Sequence, residues 1–357
     1  MSRRRRSRPD PSTRSGGGAK APNTGTSATV GSASATSIGS TGTRPWRGAR
    51  EARGVRPVDA WTWAREWIFG PQPVQRLVLL RIVVPLAVLG FLTSRMIHAD
   101  EWLSPNGFHL PDLGGDDWRQ PLFLPPIPAW GAWMIVGATT IAGLSLMVGC
   151  RTRLAGSVFA ALIAYLVLAD RLEAFTVSKI APVLSLALAL SPCDVRFGVD
   201  AWRRRRGGSP SAQPPPDHVT GGTVRFFQVF LVVMYSGSGI AKARGDWLSG
   251  QVLWTHLHDN YQTAVGWHVM NALPAGAWRI LQDLTLVFEV GAPLWFALPW
   301  TRVPALVVGL GMHAMIGLMF GPVVWFALLM SGMLVACYAP RALLVRVLGG
   351  RPLGAGH

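Results

Sequence analysis

The chain has 357 residues, half of them hydrophobic and only 15% charged, with a formal net charge of +16. A soluble domain carries about a quarter charged residues, so an ordinary water-soluble enzyme is excluded. Arginines crowd the N-terminus, the run 203–206 and short connections between apolar stretches of roughly 17–25 residues, the length that crosses a bilayer. That pattern is a topology signal and an anionic-lipid contact, and no nucleic-acid partner is expected.

Residues 1–56 are Arg-rich, then Gly-, Ser- and Thr-rich, with almost no large apolar side chain. Such a segment cannot bury enough surface to offset its ordering entropy and is expected to be a disordered cytoplasmic tail. The opening RRRRSR lacks the apolar run of a signal peptide. Residues 58–69 place Trp61, Trp63 and Trp67 among charges and predict a short interfacial helix. Eight spans follow, at about 74–97, 127–148, 154–169, 174–192, 223–242, 278–299, 303–319 and 322–339. With the N-terminus inside, the connections carrying Arg151 and Arg153, then Arg196 and Arg203 to Arg206, then Arg302, all fall inside. A short basic tail, 341–357, follows them there. The acidic residues Asp100, Glu101, Asp112, Asp116 and Asp117 fall in the outer loop 98–126, opposed by Arg119, and the second outer loop, 243–277, holds Arg244, Asp246 and Asp259.

The expectation is therefore an all-α, polytopic integral membrane bundle of about eight spans. Both termini are cytoplasmic, in a multi-pass protein of the plasma membrane. The membrane domain covers 57–340, with a Pro-rich inside linker at 203–222 between two four-span halves. Cys150, Cys193 and Cys337 fall near cytoplasmic span ends without metal-type spacing, and no disulfide framework is expected.

A charged group near the bilayer centre costs on the order of 3 kcal/mol, so each one needs a partner or a purpose. Arg81, Lys179, Glu289 and His313 lie within predicted spans, and Lys242 lies at the outer end of the fifth. Arg81 is on the inner half and separate; the other four could form one path opening outward. The chain uses arginine almost throughout, and its lysines are Lys20, Lys179 and Lys242 alone. A desolvated lysine can lose its proton and act as a base, whereas arginine cannot.

Simpler readings stand beside this one. Lys242 could snorkel to the interface. Lys179 could pair with Glu289 or Glu173, Glu289 could satisfy a kink near Pro293, and His313 could be a hydrogen-bonded core histidine. The small residues 236–239 could serve helix packing as well as ligand approach. His256, His258 and His268 do not form a metal-type set, and no metal is predicted. Soluble-enzyme signatures such as GxSxG, the P-loop and HExxH are missing.

The segment YSGSGIAKARGDWLSGQ, with Tyr235, Gly239, Lys242 and Trp247, resembles the signature of the HTTM domain, the membrane part of vitamin K-dependent gamma-glutamyl carboxylases and of many bacterial proteins. LLRIVVPLAVLGF, GCRTRLAGSVF, LSPCDVRFGVDAW, FEVGAPL and GMHAMIGLMF resemble other family segments in the same order, covering about residues 60–340. The resemblance implies a reduced quinone, of vitamin K or menaquinone type, bound at the outer face. It implies Lys242 as the base that deprotonates it, and His313 is the second candidate catalytic group. Lys179, Glu289, Tyr235, Gly239 and Trp247 are then the cofactor-binding residues. The implied function is a carboxylase-like enzyme in which quinol epoxidation is coupled to proton abstraction. The sequence departs from the carboxylases at Ser178 and Lys179, where they carry a histidine. It also stops soon after the eighth span, where they continue into a large extracytoplasmic domain, which argues against carboxylation of a tethered peptide. The alternative is a non-enzymatic maturation, export or immunity partner of a secreted peptide. The expected partners are membrane lipids, with a quinone and a secreted peptide.

Overall fold

The computed structural model describes residues 59–109, 122, 124–170, 175–207, 216–257 and 262–348, all within the unit Pro57–His357. The expected tail 1–56, the acidic residues Asp112, Asp116, Asp117 and Asp259, and Arg119, Glu173 and His258 lie outside the described residues. So do 208–215 of the linker and 349–357.

The first helix, α1 (Ala60–Phe69), is the expected short amphipathic element, with Trp61 and Trp63 exposed. A two-stranded antiparallel pair follows, β1 (Pro71–Pro73) with β2 (His218–Thr220), in register Gln72↔Val219. Three-residue strands leave little trace in a sequence, and this pair was not anticipated. It ties the start of α2 (Val74–Met96) to the start of α8 (Gly222–Arg244). Between them run α3 (Ala99–Leu103), α4 (Ala129–Val148), α5 (Thr152–Ala169), α6 (Thr176–Ala189) and α7 (Val199–Gly207). After α8 come α9 (Val252–Leu257), α10 (Ala264–Ala272), α11 (Ala275–Val290), α12 (Ala292–Ala297), α13 (Arg302–Met319), α14 (Val324–Tyr338) and α15 (Arg341–Leu348).

Each of the eight predicted spans is helical. Five of these helices, α2, α4, α5, α8 and α13, are long and apolar enough to cross a bilayer among the described residues. A sixth would be α14 taken with α15, which bends away by 113°. The sequence predicted one continuous span over 278–299. The structure breaks it at Gly291 into α11 and α12, because Pro293 in the first turn of α12 cannot donate to a continuing ladder. The linker expected over 203–222 is ordered at both ends, in α7 and β2.

Helix α2 is apolar on most of its circumference and is the most buried of the long helices, as that pattern requires. It packs against α4, α6 and α14, and α14 packs in turn against α13 and α8. The two halves therefore share one core, with Leu80, Val84, Leu184, Leu231 and Met333 among its buried residues.

Arg81 sits in this core, 1% exposed. Its guanidinium donates to the Cys193 carbonyl at 2.8 Å and to the Phe197 carbonyl. The sharp ends of α4 and α6 meet here. Gly149 takes φ +74° to close α4, and a β-carbon on it would lie 2.8 Å from the Arg81 guanidinium carbon. Arg81 is a structural staple for the turn after α6, separate from the cluster described next.

Candidate functional site

Lys242, Glu289 and His313, three of the polar residues singled out in the sequence, gather where α8, α11 and α13 meet. On α8, Tyr235 and Lys242 are seven residues apart, two turns along one face and about 10 Å of rise. Gly239 lies between them. A β-carbon there would stand 2.7 Å from the Val290 nitrogen and 3.0 Å from the Glu289 carbonyl carbon. The missing side chain lets the end of α11 rest on α8, the close approach that small residues permit in membrane bundles.

That approach puts Lys242 within reach of Glu289. Lys242 Nζ lies 2.5 Å from Glu289 Oε1, a short charge-assisted hydrogen bond, with the side chains 24% and 7% exposed. The Trp247 ring roofs the ammonium, 4.6 Å from Nζ to the ring centre, a cation–π contact. Trp247 is held by a residue that the sequence reading passed over. Gln282, fully buried, donates to the Trp247 carbonyl and accepts from the Leu253 nitrogen at 2.8 Å. Its signal was present: Gln282 and Glu289 are seven residues apart in the apolar run QDLTLVFE, so both share one face of α11.

Two turns deeper along α8, the Tyr235 hydroxyl lies 2.7 Å from His313 Nε2 of α13, both residues 2% exposed. Aromatic rings enclose this pair. Phe288 meets Tyr235 edge-on at 5.3 Å, and Phe326 meets His313 edge-on at 5.7 Å. Three buried polar atoms in the cluster have no hydrogen-bond partner among the described residues: Glu289 Oε2, His313 Nδ1 and Ser236 Oγ. Leaving such an atom unpaired costs about 1–3 kcal/mol. Glu289 Oε2 belongs to the ion pair and His313 Nδ1 to the deeper Tyr235 pair, so each pair keeps an atom that a polar ligand could meet.

Beside the cluster, between α11 and α13, is an apolar cavity of about 240 Å³. Trp278, Thr285, Met312 and Met315 line it, together with Trp247 and Phe288. The last two are shared walls: Trp247 faces Lys242, and Phe288 faces Tyr235.

Of the predicted site residues, Lys242, Glu289, Tyr235, His313, Gly239 and Trp247 come together. Lys179 does not. Its side chain is exposed on the first turns of α6, with no side-chain hydrogen bond or ion pair among the described residues, and Glu289 is taken by Lys242. Ser178 beside it caps α6, accepting from the Phe175 nitrogen at 3.2 Å. Glu289 turns to Lys242 rather than to the backbone break before Pro293, which answers the kink reading. His256 bonds the Val252 carbonyl of its own helix at 2.9 Å.

The family model described as HTTM domain matches residues 69–340. No curated protein and no solved structure matches the chain. The match contains every helix that contributes to the cluster, and the chain belongs to the HTTM domain family, the membrane domain found in vitamin K-dependent gamma-carboxylases and related proteins.

Proposed function

We propose that this chain is a carboxylase-like membrane enzyme that binds a reduced quinone beside Lys242 at the outer face of the plasma membrane. The observation that carries the reading is the Lys242–Glu289 pair at 2.5 Å, roofed by Trp247 and adjoining an apolar cavity of about 240 Å³. The residues present fit such a ligand: a flat ring system beside the unpartnered Glu289 Oε2 and His313 Nδ1, and an apolar tail in the cavity. When bound, a reduced quinone supplies electrons to oxygen and, through its epoxidation, a strong base.

The chain's own residues have defined tasks in this scheme. Lys242 must give up its ammonium proton before it can accept one, and Glu289 Oε1 is the acceptor in reach. With that proton on Glu289, Lys242 Nζ is a neutral amine positioned to take a hydroxyl proton. Trp247 shields Nζ from outer water, Gln282 fixes Trp247, and the Tyr235–His313 pair orients the far edge of the ligand. The proposed topology has eight spans and both termini cytoplasmic. It is supported by the Arg-bearing connections of the sequence and by the helical state of the described residues in all eight segments.

Filling the cavity tests the reading. Gly311 lines it, and a β-carbon there meets nothing within 4 Å. Gly311→Phe is expected to leave the bundle folded and to remove co-purifying quinone, read by mass spectrometry of extracted lipids. Gly137→Phe on α4, equally free of clashes, is the control and is expected to retain it. Equal quinone in both variants, or none in the parent protein, would sink this reading.

A further inference from the structure

A second pocket, of about 440 Å³, lies at the opposite end of α8 and has no part in the proposed chemistry. Arg225 in its wall is seventeen residues before Lys242, about 25 Å along the helix and close to the thickness of a hydrocarbon core. Arg302 at the start of α13 and Tyr338 at the end of α14 line the same pocket. So do Trp63 and Trp67 of the amphipathic helix α1. This is the Arg-rich end of the bundle, where an interfacial helix meets the helix termini.

The two guanidiniums are positioned but not neutralised. Arg225 donates to the Trp67 carbonyl at 2.9 Å and to Gln228 Oε1 at 2.8 Å, and it lies over the Trp67 ring at 4.8 Å. Arg302 donates to the Phe296 carbonyl at 2.9 Å and the Ala297 carbonyl at 2.8 Å. These four acceptors are neutral, and neither arginine forms an ion pair among the described residues. A guanidinium has five N–H donors, and each of these keeps donors to spare. Both line the same pocket, which thus has two like charges in its wall. Below them the wall turns apolar, with Val229, Val232 and Pro293.

We propose that this pocket holds one anionic phospholipid of the inner leaflet, its phosphate between Arg225 and Arg302 and one acyl chain along Val229, Val232 and Pro293. Each feature has a counterpart in that ligand. The spare forked donors match phosphate oxygens, and with no carboxylate among the described lining residues the charge is left to be met from outside. The exposed tryptophan helix marks headgroup depth, and the apolar strip continues toward the membrane interior. A soluble anion would have no use for that strip.

The test is native mass spectrometry of the full chain released from micelles containing equal phosphatidylglycerol and phosphatidylcholine. The expected result is one retained phosphatidylglycerol. Arg225→Gln is expected to lower its occupancy about fivefold, and Arg225→Gln with Arg302→Gln about thirtyfold. Arg302 also caps the carbonyls that end α12, so the single Arg225→Gln variant stands as the test if the double variant does not fold. Arg205→Gln with Arg346→Gln removes the same charge from exposed positions on α7 and α15 and is expected to leave occupancy unchanged. Equal retention of phosphatidylcholine, unchanged occupancy in Arg225→Gln, or an equal loss in the Arg205/Arg346 control would overturn the proposal. So would inorganic phosphate displacing the lipid at millimolar concentration, which would assign the site to a soluble anion.

Discussion

Replacing Lys242 with arginine is expected to abolish quinol consumption while the protein stays folded. The substitution preserves most of what Lys242 does structurally. A guanidinium can still pair with Glu289, still stack against Trp247, and still reach the interface at the end of α8. It cannot become a neutral base near physiological pH, because arginine does not give up its proton. Removing a positioned general base costs roughly 10²- to 10⁴-fold in rate. The assay follows quinol in membranes supplied with oxygen, and the folded fraction is checked by size-exclusion of the detergent-solubilised protein. A fully active Lys242→Arg variant would reduce Lys242 to an anchor. The reading as a maturation or export partner of a secreted peptide would then move ahead.

The largest stability effect is expected at the same pair. Removing one partner of a buried ion pair strands the other and costs about 3–5 kcal/mol, whereas replacing both with apolar side chains is close to neutral. The two single variants should not be equal. Lys242 is the more exposed partner and has a long stem, so in Glu289→Leu its ammonium can swing toward the outer water. Glu289 is held near the end of α11 with Oε2 already unpartnered, so Lys242→Met leaves a carboxylate with no escape. Lys242→Met is therefore expected to lower the thermal midpoint in detergent more than Glu289→Leu. The double variant should recover much of the loss. Additive effects would mean that the pair is not coupled as its 2.5 Å separation requires.

Much of this was legible in the sequence because burial and charge leave separate traces. Apolar runs of span length gave the eight helical segments, and the ionisable residues inside them gave Lys242, Glu289 and His313. Which side chains would meet was less legible. Periodicity gives the face of a helix but not its neighbour. Lys179 was the expected partner of Glu289, and the packing of α11 on α8 gives Glu289 to Lys242 instead. That packing depends on Gly239, where the informative feature is a missing side chain. The break at Gly291 follows from Pro293, yet a hydropathy window averages across it. Gln282 was hidden by being neutral: an amide in an apolar run draws less notice than a charge, although its burial was the stronger constraint. Arg302 read as a topology signal and Arg225, inside a predicted span, drew no notice; the pocket shows that they share a ligand-sized space.

Oxygen transfer to the quinone is the step that a Lys242 base would set off, and it can be read on the quinone itself. Purified protein in vesicles would be given reduced menaquinone under isotopically heavy oxygen, and the extracted quinone examined by mass spectrometry. The expected product is quinone epoxide carrying the heavy isotope, formed by the parent chain and absent with Lys242→Arg. Quinone that is bound but recovered without added oxygen would contradict it.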